Sequence, residues 1–234
     1  MRKLSYVITF LAVVVSLVAT ILSLKRVDWL VVQTKQVLHT QITRYYGLTT
    51  LCELTHVDIP GNDLGHDHDN SNNSNNNNSN SNNSKLEYTS YTCRPFPKRV
   101  QDKCEEDHPG FCAAWTSAGY AVEISIGFAV LALFAILIGL STGSRRRRIW
   151  KAVAGLVGLH AVMQVVAFAI VTDSMRTDAF PTFEYAKPGI GFIFNTFGWI
   201  FSVLIATGVV LTGIFADRGH KWAAGNRAYR RIDG

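Results

Sequence analysis

Four stretches of this chain are each long and apolar enough to cross a lipid bilayer, and that leaves few folds open to it. A helix needs about 20 mostly apolar residues, at 1.5 Å rise each, to cross a hydrocarbon core of about 30 Å. Residues 4–24 and 189–215 carry no charge, residues 120–140 carry only Glu123, and residues 152–172 hold no acid, Lys or Arg. Composition agrees: the chain is 48% hydrophobic and 17% charged, against about 25% charged in an ordinary soluble domain. The first run follows Arg2 and Lys3 as a signal peptide would. It is longer than the 7–15 apolar residues of such a segment, and no small-x-small site closes it before Lys25-Arg26. It reads as a retained span.

Basic residues then assign sides. Arg145, Arg146, Arg147 and Arg148, with Lys151, lie between the second and third spans. Short loops rich in Lys and Arg stay on the cytoplasmic side. With that turn inside, the N-terminus (Arg2, Lys3) and a tail holding Arg218, Lys221, Arg227, Arg230 and Arg231 bring the inner total to twelve. The short outer loop 173–188 has two, Arg176 and Lys187. The expected order is a cytoplasmic N-terminus 1–3, span 4–24, outer loop 25–119, span 120–140, basic turn 141–151, span 152–172, outer loop 173–188, span 189–215 and basic tail 216–234. The net charge of +6 is explained by this placement, so no nucleic acid is expected as a partner; anionic headgroups are. Trp29, Trp115, Trp150 and Trp222 fall near span ends, as interfacial aromatics do.

The long outer loop carries the most information. Strand-like text runs through 27–32, then by alternation through Val37, His39, Gln41 and Thr43 to 45–48 and 51–54, and resumes at 86–93. Between them lies a polar insert, 61–84, which from Asn70 to Ser84 is only Asn and Ser. Such a tract buries no apolar area and reads as disordered. It fits an expanded tip between two pairing strands, since closure entropy grows only logarithmically with loop length. Asn72, Asn77 and Asn82 each begin an N-x-S sequon, which makes them candidate glycan acceptors. A turn-rich piece with Pro95, Pro97, Pro109 and Gly110 is expected before the second span.

All four cysteines, Cys52, Cys93, Cys104 and Cys112, lie in this loop. An even number confined to the oxidising side reads as two disulfides. Three pairings exist; the local one joins Cys104 to Cys112 and leaves Cys52 for Cys93. Zinc is the rival reading, but no C-x-x-C pair occurs. His66-Asp67-His68-Asp69 offers imidazole and carboxylate ligands, yet in a polar insert without supporting groups it reads as adventitious, so no metal or other cofactor is expected. No nucleophile motif, phosphate loop or dinucleotide fingerprint is present, and the chain does not read as an enzyme. Polar residues inside spans are costly. By height along the bilayer normal His160 falls near the midplane, while Glu123 and Asn195 share an outer level where they can meet. Interhelical hydrogen bonding is the expected role. Ala154, Gly155 and Gly158 give the third span a small-residue face for close packing.

The whole pattern, from first span to fourth, resembles the claudin/peripheral-myelin-protein superfamily. Members carry a Trp soon after the first span, then Gly-Leu-Trp-x-x-Cys, then a second Cys on the next strand. Trp29, Gly47, Leu48, Cys52 and Cys93 stand at those places, whereas Thr49 occupies the position of the second Trp. The extra cysteine pair, the Pro-Phe-Pro segment and the Asn tract are most similar to the fungal claudin-like branch. The resemblance implies a non-enzymatic protein of the plasma membrane that organises membrane or cell-surface contacts, with roles such as surface integrity or cell fusion. It also implies Trp29 as an anchor of the sheet to the bilayer, and lateral association with copies of itself or other membrane proteins. The alternatives are a subunit of an oligomeric channel or transporter, or a sensor that recruits cytosolic factors through the basic tail.

Overall fold

The computed structural model describes residues 3–34, 40–59, 86–104, 109–141, 146–177 and 183–218. Four helices dominate it: α1 (Lys3–Lys25), α2 (Pro109–Ser141), α3 (Arg146–Arg176) and α4 (Ile190–Asp217). Each is long and apolar enough to cross a membrane. They close into a ring in which α1 packs on α2, α2 on α3, α3 on α4 and α4 on α1. Their outward faces stay apolar: Leu11, Phe134 and Leu204 are 58, 59 and 64% exposed. A bundle in water would put polar residues there; lipid is the solvent that suits these faces.

One end of the bundle carries an antiparallel sheet of β1 (Leu30–Gln33), β2 (Thr40–Tyr46), β3 (Thr50–Ile59), β4 (Leu86–Pro95) and β5 (Lys187–Pro188), in the order β4-β3-β2-β1-β5. Thr, Tyr, Val and Ile favour such half-buried pleated surfaces. β3 and β4 pair from Thr50 opposite Pro95 to Ile59 opposite Leu86. The polar insert therefore joins the far ends of a long hairpin, the position expected for it. The insert itself, with Asn72, Asn77, Asn82 and the His66–Asp69 group, lies outside the described residues, as do Arg145 and Trp222.

Three features differ from the sequence expectation. α2 begins at Pro109 rather than 120, so the piece expected to be turn-rich is helical from there. Proline suits the first helical position because its missing N–H has no partner to lose. The extra eleven residues add about 16 Å of helix, which stands beside the sheet. α3 begins at Arg146, so Arg146–Arg148 extend the helix instead of forming a turn; arginine is a good helix former. Finally, the shorter loop supplies a 3-10 turn at Phe183–Tyr185 and the edge strand β5. Both loops thus build one layer.

Candidate functional site

The join between sheet and bundle is made by Trp29. Its ring is fully buried, and its indole N–H donates to Ser23 O at 2.8 Å. It stands edge-on to Phe192, with centroids 6.3 Å apart. Its backbone N–H donates to Tyr46 O, and its carbonyl accepts from Gly189 N–H. Ser23 Oγ in turn donates to Gly191 O. The end of α1, the start of β1 and the start of α4 meet in this one residue. A Cβ on Gly191 would lie 2.6 Å from Trp29 Cδ1, so glycine there makes room for the indole. Trp29 is therefore an internal wedge and not a bilayer anchor, which corrects the interfacial reading. Trp115 is corrected in the same way: it is fully buried, with its indole donating to Gly47 O at 3.2 Å. Trp150 is buried as well.

Above Trp29 lies an aromatic core drawn from four segments: Tyr46 of β2, Phe96 after β4, Phe111 and Trp115 of α2, and Phe183 of the 3-10 turn. Their ring centroids stand 5.0–6.2 Å apart, mostly edge to face, the arrangement the ring quadrupole favours. Gly47 is needed on steric grounds, because a Cβ there would come 3.0 Å from both Thr50 O and Val27 Cα.

Two disulfides bound this layer. Cys52 and Cys93 sit opposite each other on β3 and β4. Cys104 joins Cys112 in the first turns of α2. Beside the second bridge, Arg94 grips Asp102 with two hydrogen bonds, and Lys98 N–H donates to the same carboxylate at 2.6 Å. Burial by itself would raise the pKa of Asp102; the bonds from Arg94 and Lys98 outweigh it and hold the carboxyl below its ordinary value. A depressed folded pKa stabilises the fold above the unfolded value of about 3.9, and that contribution is lost as pH falls through the folded pKa. Thermal unfolding of wild type and Asp102→Asn should therefore differ most near neutral pH and converge below about pH 4. A gap that stays constant down to pH 3 would remove the ion pair as its source.

The opposite face of the sheet is open. Tyr45, Leu54 and Tyr91 share it by register, with Leu54 directly opposite Tyr91. Together with Lys25, Arg26, Val27 and Asp28 they line an open groove of about 320 Å³. Tyr91 is 57% exposed. A second groove, of about 530 Å³, runs along α2 past Arg99, Thr116, Ser117 and Tyr120.

Inside the bundle, the structure gathers polar residues from all four helices. His160 Nδ1 lies 2.8 Å from Ser125 O of α2. A carbonyl only accepts, so Nδ1 carries the proton and Nε2 of the neutral ring accepts. The Gln164 amide donates to it at 2.9 Å, and the Ser16 hydroxyl of α1 lies 3.1 Å away. Gln164 Nε2 also donates to Thr20 Oγ1 at 2.8 Å, and Thr20 is committed as a donor to Ser16 O. Ser202 of α4 reaches Ser16 at 2.7 Å, and Asn195 Nδ2 donates to Gln164 O at 3.2 Å. His160, Gln164 and Asn195 thus make the interhelical bonds expected of them. Ser16, Thr20, Ser125 and Ser202 were not singled out; their signal was the i, i+4 spacing of Ser16/Thr20, which matches that of His160/Gln164.

Two expected juxtapositions do not occur. Asn195 is fully buried, whereas Glu123 is exposed on the outer surface of α2, so they do not meet at the rim. Equal height along a helix axis says nothing of azimuth. Nor is the small-residue face of α3 a packing seam, since a Cβ on Gly155 or Gly158 would meet nothing within 4 Å. Close approach uses Gly191, Gly198 and Gly213 of α4 instead.

His160→Ala should remove three polar contacts, at about 0.6 kcal/mol for an average interhelical bond in a membrane, hence about 2 kcal/mol in total. Equilibrium unfolding in mixed micelles would measure it; a loss below about 0.5 kcal/mol would show that the cluster is not a clasp. No protein-family model matches this chain, and no curated protein matches it.

Proposed function

We propose that this protein is a non-enzymatic, claudin-like organiser of the plasma membrane, acting through lateral and surface contacts of its outer sheet. The observation that supports this most is the rigid fusion of sheet to bundle. The α1–α2 and α3–α4 connections both enter one sheet, which is tied to α1 and α4 through Trp29 and to α2 through the aromatic core. A layer held so firmly can transmit a contact made outside to the spans below. Its free face, with Tyr45, Leu54 and Tyr91, is rich in the aromatic type that interfaces favour. Lipids and neighbouring membrane proteins, including further copies of this chain, are the partners this reading implies.

In this reading both termini are cytoplasmic and the sheet is outside. Arg146–Arg148 occupy the first turn of α3, where the helix dipole disfavours cations. Their placement is better explained by orientation than by helix stability. The cysteines then face an oxidising compartment, and Asn72, Asn77 and Asn82 an environment where glycans are added.

Leu54→Ser combined with Tyr91→Ser alters only the free face. Surface clustering of a fluorescently tagged protein should fall while trafficking and thermal stability stay near wild type. Unchanged clustering would mean that the free face is not the contact surface. Glycosidase digestion with a non-reducing gel tests the orientation: no mobility change in either treatment would place the loop on the wrong side.

A further inference from the structure

We infer that a water molecule is bound inside the bundle between α3 and α4, held by Gln164 Oε1 and Asn195 Oδ1 beside Gly198. Both side chains are fully buried, and both oxygens have no hydrogen-bond partner among the described residues. The orientation of the Gln164 amide is not arbitrary. Its NH2 group is claimed by two acceptors, His160 Nε2 and Thr20 Oγ1. The first is an acceptor because Nδ1 holds the proton for Ser125 O, and the second because Thr20 donates its own proton to Ser16 O. The Gln164 oxygen is therefore turned the other way, toward α4. It arrives where α4 has no side chain: a Cβ on Gly198 would lie 2.7 Å from it.

Asn195 is oriented by the same logic. Its amide nitrogen donates to Gln164 O, which leaves Oδ1 as a second bare acceptor on the same seam, three residues before Gly198. One turn along α4 from Asn195, Trp199 Nε1 is a buried donor that also has no partner among the described residues. The seam thus holds two acceptors in need of protons and one donor in need of a lone pair. Water donates twice and accepts up to twice, and buried waters make about three hydrogen bonds. Each group left bare would carry its full desolvation penalty, and the surrounding lipid offers nothing to relieve it. A cation fits less well, because no carboxylate belongs to the cluster and the indole N–H would oppose the charge. Gly198 is glycine in this account because the space a methyl group would fill belongs to the Gln164 oxygen.

Water-edited solid-state NMR on the full chain in lipid bilayers, with labelled glutamine, asparagine, histidine and alanine, reads this directly. The Gln164 side-chain amide, assigned by its disappearance in Gln164→Met, should receive magnetisation from water at least threefold faster than the Ala161 methyl, a dry neighbour on α3. In Asn195→Leu, which removes one acceptor, that transfer should fall at least threefold. The His160 ring shifts should stay at their wild-type values, showing that the bonds to Ser125 and Ser16 survive. Transfer to Gln164 no faster than to Ala161 would overturn the proposal, and so would undiminished transfer in Asn195→Leu with the His160 shifts intact.

Discussion

Trp29→Ala is expected to destabilise the protein by about 3–5 kcal/mol, the range for truncating a fully buried tryptophan. For a chain of this size that is a fall in Tm of roughly 6–20 °C. Three losses combine. The ring packs against Gly191 and Phe192, its indole caps Ser23 O, and its removal leaves a cavity where the sheet meets α1 and α4. Trp29→Phe separates the contributions: it keeps most of the packing but gives up the indole hydrogen bond, so about 1 kcal/mol should be lost. Thermal unfolding of both variants in the same detergent is the measurement. A tryptophan that merely sat among headgroups would lose less than 1 kcal/mol on truncation, and that result would restore the interfacial reading.

Replacing Cys52 and Cys93 together with serine should cost about 4 kcal/mol in the chain-entropy account, because the bridge closes a long loop. The sequence separation is 41 residues, and much of that length is the insert, which by its composition cannot contribute packing of its own. The bridge stands directly across β3 and β4, so without it the hairpin must close a large, entropically costly loop through strand pairing alone. Cys104→Ser with Cys112→Ser spans only eight residues and should cost less, by about 1.5 kcal/mol on the same logarithmic scale. Unfolding with and without reductant, in wild type and in each pair, gives the ranking. Equal losses would mean that local strain or packing, and not loop closure, controls the contribution of the bridges.

The candidate sites were legible to different depths. Strand text around Cys52 and Cys93 and the position of the polar insert were readable because a strand alternates with period two and a hairpin is local in sequence. His160, Gln164 and Asn195 were visible as polar residues in apolar helices, for which interhelical bonds are the ordinary solution. Their partners were not visible, since Ser16 and His160 are 144 residues apart in sequence. Trp29 and Trp115 were misassigned for a related reason. Both lie near span ends, where tryptophan commonly faces the headgroups, and nothing local reports that another segment will cover them.

The number and order of the long apolar helices, the even set of cysteines in one connecting segment and the hairpin around the insert follow from the sequence by itself. Each depends on a property of a contiguous stretch: total apolarity, charge, or alternation. Which face of each helix turns inward did not follow, because a helix that is apolar all round has no periodic signal to point with. That choice was made only in the tertiary structure, where Gly191, Gly198 and Gly213 let α4 approach its neighbours. There too polar side chains of α1, α3 and α4 and the Ser125 carbonyl of α2 found one another. The fifth strand and the aromatic core were decided at the same level. Phe183 and Lys187–Pro188 gain their roles only once the long loop has presented Tyr46 and Val31 to receive them.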